Sequence, residues 1–262
     1  MAPMDPNVNA WLEMIFRWIH VVAGIAWIGH LYFFNFVNSG FNPTMDGETK
    51  KKVVPELMPR ALYWFRWGAA WTWVSGFLLA GLVYYMVPNL LPPESTMSTG
   101  AGCGLSLLLI VVVFFIYDAL WKAMAGKEQA GVIVSFLLVA AAAWGMSCVF
   151  APRAVFIHVG ALFGTIMAMN VWMRIWPAQK KIIAAIKGGT APDAATVALA
   201  GLRSKHNTYM SVPLVLTMVS NHYPTIYGAP NSWLILVVLV AVGWALAKWL
   251  YGKSASPAPA KF

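Results

Sequence analysis

Charge is scarce in this chain. Asp, Glu, Lys and Arg make up 10% of its 262 residues, against about 25% in an ordinary soluble domain. A water-soluble fold of this size needs more charge than that to cover its surface. The shortage therefore excludes a soluble enzyme, and the apolar excess excludes a disordered chain. Acidic residues are fewest, nine against eighteen Lys and Arg. The longest basic run is only Lys50-Lys51-Lys52, too short to suggest a nucleic-acid partner. Two cysteines cannot staple a disulfide scaffold. There is no phosphate-binding loop, dinucleotide-binding glycine turn, Gly-x-Ser-x-Gly elbow or Cys/His zinc spacing. Cys-x-x-Cys-His is also missing, so any haem would be noncovalent.

What is abundant is apolar sequence, 60% of the chain. It falls into seven runs near the ~20 residues that cross a bilayer as helix: 11–37, 64–87, 103–121, 130–150, 153–176, 209–228 and 231–251. The sixth is the weakest, because it holds Pro213, Asn221, His222 and Pro224. The expected fold is all-α, a polytopic bundle of seven transmembrane helices over residues 1–252, followed by a disordered Pro/Ala-rich tail at 253–262. The N-terminus lacks a basic region before its apolar run and does not read as a cleavable signal. Sixteen of the eighteen Lys and Arg residues gather in or beside the segments 37–63, 122–129 and 177–208 and the C-terminus. Arg17 and Arg153 alone fall on the other side. The positive-inside rule then puts the N-terminus outside and the C-terminus in the cytoplasm, as an odd number of spans requires. Trp11, Trp18, Trp121, Trp176, Trp233 and Trp249 near span ends read as an interfacial belt.

Ionisable groups inside a membrane are costly and usually functional. At about 1.5 Å of rise per residue, His20, His158 and His222 all lie about 9–13 Å below the outer helix ends. His30 and His206 fall in the inner half or at its boundary. Helices 1 and 5 share the string Ile-His-Val-x-Ala, with Arg17 or Arg153 just before it, which looks like a parallel repeat. Imidazoles converging in an apolar layer suit the axial positions of a haem b. His20 and His158 are the expected axial pair, with His222 as substitute. Gly24, four residues after His20, and the Gly160/Gly164 pair would let a flat ring approach, and Arg17 and Arg153 would meet its propionates. The inner pair, His30 and His206, would hold a second haem. The plainer alternative is that the glycines pack helices, the arginines snorkel and the histidines bond neighbouring helices. Cys103 and Cys148, at the outer ends of one hairpin, read as two buried thiols or a disulfide. Asp118 and Lys122 read as an interfacial i, i+4 ion pair. Gly188-Gly189 and Pro192 mark a break between two surface segments.

Two stretches carry a family resemblance. Trp18-Ile-His20-Val-Val-Ala-Gly24-Ile-Ala-Trp27-Ile-Gly29, and Arg203-Ser-Lys-His206-Asn207-Thr-Tyr209 through Ser220-Asn-His222-Tyr223-Pro224, resemble the N-terminal membrane domain of bacterial membrane-bound urate oxidases. The His158 helix ending in Arg174-Ile-Trp-Pro177 fits as well. The resemblance implies a haem-bearing module of the bacterial cytoplasmic membrane, coupled to the respiratory chain. Its partners would be membrane lipid, a c-type cytochrome or other redox subunits, and a quinol near the outer face. Three functions are open at this point: an electron-transfer subunit with bis-His haem, a dehydrogenase for urate or another small molecule with an open haem site, and a non-redox membrane subunit.

Overall fold

The computed structural model describes residues 5–255. Among these residues no strand occurs, and seven long helices carry the architecture. They are α1 (Pro6–Tyr32), α2 (Gly47–Ala80), α3 (Thr99–Ala123), α4 (Glu128–Ser147), α5 (Pro152–Asn170), α6 (Ala194–Val219) and α7 (Ser232–Ser254). Their starts are written in the sequence. Asp5, Asp46, Ser98 and Asp193 each accept a hydrogen bond from the first turn of α1, α2, α3 and α6, which satisfies amides the helix leaves free. The Thr49 backbone N–H holds the Asp46 carboxyl below its usual range, and the Thr196 hydroxyl does the same for Asp193. Pro6 and Pro152 sit in the first turn of α1 and α5, where a missing N–H does no harm.

Three helices run on through wider π turns, at Phe33–Asn38, Gly81–Tyr85 and Val171–Ile175. The last leads from α5 directly into a further helical stretch, Trp176–Lys187. Pro177 follows this turn and cannot donate to the preceding carbonyl ladder.

The expected spans match these helices except in three places. The segments 37–63 and 177–208 are largely helical, not loops: α2 starts at Gly47, and the 176–187 stretch is followed by α6 from Ala194. Their Lys, Glu and Ala residues are good helix formers, but a hydropathy window ends where the polar face begins. The Gly188-Gly189 break is present, with Gly189 at φ +73°. The sixth helix lies upstream of 209–228, ending at Val219 before a 3₁₀ turn, Ser220–His222, and a single helical turn, Pro224–Tyr227. Pro224 disfavours helical backbone at residue 223, whereas Pro213 is absorbed within α6. Of the expected tail, residues 253 and 254 belong to α7, and residues from 256 onward lie outside those described.

Five helices, α1, α3, α4, α5 and α7, are long and apolar enough to cross a membrane. Large side chains such as Trp18 (70% exposed) and Ile133 (61% exposed) face outward, as a lipid environment permits. α5 is central: 72% of its apolar window is buried, against 11–28% in the other four. Phe156, Met167 and Val171 on this helix are fully enclosed. α1 and α2 pair closely because Gly68 admits the α1 backbone; a Cβ there would lie 3.0 Å from the Trp27 nitrogen.

At one end of the bundle Asp118 gathers three cations. Its carboxylate accepts from Arg174 (2.9 and 2.5 Å), Arg203 (2.8 Å) and Lys122 (2.8 Å). The expected Asp118–Lys122 pair is therefore the exposed corner of a larger cluster joining α3, the π turn after α5, and α6. Trp121 is 7% exposed and buried rather than part of an interfacial belt. Cys103 and Cys148 are both free, and Cys148 is exposed.

Candidate functional site

The outer layer expected from the sequence forms the end of the bundle opposite Asp118. His20 of α1 packs on α2, with its Nδ1 3.2 Å from Ser75 Oγ. That hydroxyl already donates to the Trp71 carbonyl at 2.6 Å, so the imidazole must be the donor. With its proton on Nδ1, His20 would leave the Nε2 lone pair open. Gly76 makes room for the ring: a Cβ there would stand 2.9 Å from His20 Cε1. His158 of α5 is 2% exposed. Its Nδ1–H donates to the Ala154 carbonyl at 2.7 Å, and its Nε2 accepts the Ser106 hydroxyl at 2.6 Å. Ser106 in turn accepts from the Tyr85 hydroxyl at 2.8 Å.

The fit to a haem can be read from these bonds. A metal needs a lone pair on Nε2 and a partner for Nδ1–H. His20 meets both conditions. His158 has the right tautomer, but Ser106 covers its Nε2. No hydrogen bond or ring contact joins the two rings among the described residues, and they lean on different helices. Nor do the glycines line a slot. Gly24 faces Thr72 of α2 at 3.9 Å, and a Cβ on Gly160 would lie 2.2 Å from Thr217 Oγ1 of α6. Close helix packing explains both. In this arrangement the residues fit one axial imidazole, His20, and do not fit the His20–His158 pair.

Around them stands a polar group that the sequence only half announces. Arg153 Nε donates to Asn221 Oδ1 at 2.9 Å, and the Tyr84 hydroxyl reaches the same oxygen at 3.4 Å. Arg153 also lies over the Tyr84 ring, 6.0 Å from its centroid. Arg17 and Tyr227 lie close enough to act on the same phenol, although Arg17 is bonded to Glu13 at 3.2 Å. His222 lies on the 3₁₀ turn beside Asn221 and is exposed.

The inner histidines separate. His30 is half-buried on α1 and donates Nδ1–H to the Ala26 carbonyl at 2.7 Å, beside Phe34. His206 faces the other way from α6, stacked on Trp121 with centroids 4.0 Å apart. Its Nδ1 lies 2.7 Å from the Tyr117 hydroxyl. Among the described residues no hydrogen bond or ring contact joins the two. His206 lines a cavity of about 1140 Å³ bounded by α3, α4, α5, α6 and α7. Sequence reasoning missed Ser75, Gly76, Ser106, Tyr117 and Asn170, and named Asn207 only as part of the family motif. Lone polar residues inside apolar runs were the available signal.

These features define a class: an all-helical protein with helices apolar and long enough to cross a membrane, ordered imidazoles at both ends of its bundle and an arginine in a polar group at each. Within that class, the chain belongs to the family described as urate oxidase N-terminal, whose model matches residues 6–260. No curated protein and no solved structure matches it.

Proposed function

We propose that the protein is a urate-related oxidoreductase module that crosses the bacterial cytoplasmic membrane seven times, with its N-terminus outside. Family membership supports the substrate class. The one-sided distribution of Lys and Arg supports the orientation.

The observation that carries the reading is the Arg153–Asn221–Tyr84 group. An oxidised purine is flat, anionic and rich in carbonyl and N–H groups. A guanidinium with free N–H donors suits its charge and carbonyls. The amide of Asn221, whose oxygen holds Arg153, keeps its own N–H groups for a ligand, and the buried Tyr84 ring backs the guanidinium. Arg17 adds positive potential at the same end. His20, with Nε2 open, is the residue that would hold a haem b, which supplies one-electron transfer to a c-type cytochrome or another redox subunit when bound. A single imidazole leaves one face free, which favours a substrate-oxidising site over a bis-His electron carrier.

The test is titration of urate into purified protein, followed by calorimetry, together with its optical spectrum. Arg153→Ala should weaken urate binding at least tenfold, and His20→Ala should abolish the Soret band. Unchanged urate affinity in Arg153→Ala refutes the substrate site. A low-spin spectrum lost equally in His20→Ala and His158→Ala restores the bis-His reading.

A further inference from the structure

A second site lies at the other end of the bundle, and a chain of hydrogen bonds fixes its polarity. Asn207 Nδ2 donates to the Met167 carbonyl at 3.0 Å, which fixes the orientation of that amide. Asn207 Oδ1 is then an acceptor, so the Asn170 atom 2.9 Å away must be its nitrogen. The same nitrogen donates to the Tyr117 hydroxyl at 3.1 Å. Arg203, whose guanidinium carbon lies 4.9 Å from the Tyr117 ring centroid, has no acceptor to offer. The Tyr117 proton has one bonded acceptor, His206 Nδ1 at 2.7 Å. His206 is therefore the Nε2–H tautomer. That N–H has no hydrogen-bond partner among the described residues and belongs to a ring lining the cavity. This polarity is opposite to that of His20, His30 and His158, and a protonated Nε2 cannot ligate iron.

The cavity opens to the apolar outer surface of the bundle: its residues Leu108, Ile116 and Ile133, on α3 and α4, are more than half exposed. At about 1140 Å³ it exceeds the ~300–1,000 Å³ of ordinary ligand pockets. Its walls are mostly apolar, aliphatic with aromatic side chains such as Phe163 and Trp244, and its charged and imidazole groups are Lys205, His206, Glu128 and Lys248. An occupant must reach it through lipid, carry a long apolar part and end in a hydrogen-bond acceptor. The Trp121 indole, stacked on His206, adds an aromatic surface beside that end. A phospholipid could also bring an ester carbonyl to His206 with its phosphate on Lys205 and Lys248; the flat aromatic surface of Trp121 beside the donor favours a planar head group.

We infer that the cleft between α3 and α4 binds the carbonyl head of an isoprenoid quinone, with His206 Nε2–H as donor and the tail along the aliphatic walls. This places the quinone at the Asp118 end, not near the outer face where the sequence reading put it. The inference does not depend on the urate reading.

The experiment uses the full chain in phosphatidylcholine nanodiscs and a benzoquinone with a decyl tail, with binding followed by calorimetry. Saturable binding is expected in the wild type. His206→Leu should weaken it about tenfold, the share of one hydrogen bond. His206→Gln, which keeps an N–H donor, should restore most of it. Val139→Trp, which fills the cleft wall, should abolish it, and His30→Leu should leave it unchanged. Nitrogen-15 NMR of labelled histidine should show a buried imidazole protonated on Nε2, distinct from exposed His222 and lost in His206→Leu. Absence of wild-type binding overturns the inference, as does equal binding in His206→Leu and His206→Gln. So does a tightly held phospholipid that the quinone fails to displace, or a Soret band that His206→Leu removes. Should His206→Leu not fold, the Gln and Val139→Trp variants decide alone.

Discussion

Removing the charge of Asp118 while keeping its shape, as in Asp118→Asn, leaves three cations facing a neutral amide. Their burial differs, and so does the effect expected from each. Lys122 is 66% exposed and can turn to water, so its pairing is worth about 0–1 kcal/mol. Arg174, 24% exposed, can relax in part. Arg203 cannot: its side chain is 3% exposed, and its Nε and Nη1 already lack partners. Breaking a buried pair by removing one member costs about 3–5 kcal/mol, because the other charge stays uncompensated. Nearly all of that is expected to come from Arg203, so Asp118→Asn should destabilise the fold by about 3–5 kcal/mol. The assay is the unfolding equilibrium in mixed micelles. The double variant Asp118→Leu with Arg203→Met removes both charges and keeps volume, and should recover most of the loss. A loss below about 1 kcal/mol in Asp118→Asn, typical of an exposed pair, would refute the reasoning. So would a double variant no more stable than the single one.

Three further outcomes follow from contacts described above. Gly160→Ala should destabilise by about 1–3 kcal/mol through overpacking against Thr217; Thr217→Ala should relieve it, and lack of coupling in the double-variant cycle would count against the α5–α6 contact. Ser106→Ala strips the partner from His158 Nε2 and should cost about 1–3 kcal/mol for the orphaned acceptor, with a shift of that nitrogen's NMR resonance but no change in its tautomer. Phe156→Ala, at a fully buried position on the central helix, should cost about 3–5 kcal/mol; a thermal midpoint near wild type would show that α5 is not the core.

The long apolar helices were legible because lipid and protein interior ask the same thing of an apolar run. The helices outside that zone were not, because a polar helix and a polar loop share a composition. The start of α6 at Ala194 shows this: an Asp193 cap before a mixed segment gives no hydropathy signal. In the site, His20, His158, Arg153 and His206 could be singled out, since ionisable groups stand out in apolar sequence. Their partners could not be assigned. Ser75 and Ser106 are ordinary residues whose meaning lies in which carbonyl each hydroxyl faces. Gly24 and Gly160 show the reverse difficulty, since a gap for a ligand and a gap for a neighbouring helix look alike in one dimension. His30 and His206 were grouped by depth alone, yet they face different helices.

The helical stretch after Pro177 and the first half of α2 pack together beyond the apolar zone. At about 1.5 Å per residue, the 34 residues of α2 span about 51 Å, some 20 Å more than a hydrocarbon layer about 30 Å thick. The surplus falls wholly at the Asp118 end, where Lys50, Lys51, Lys180 and Lys187 decorate it. A bundle that crosses a bilayer in this arrangement would therefore be lopsided. One leaflet would meet the connections at the other end, while its opposite would meet a cationic ledge able to rest on acidic headgroups, at about 1 kcal/mol for each lysine near that surface. Salt should loosen that hold, and the insertion depth of the whole bundle is then set from one side.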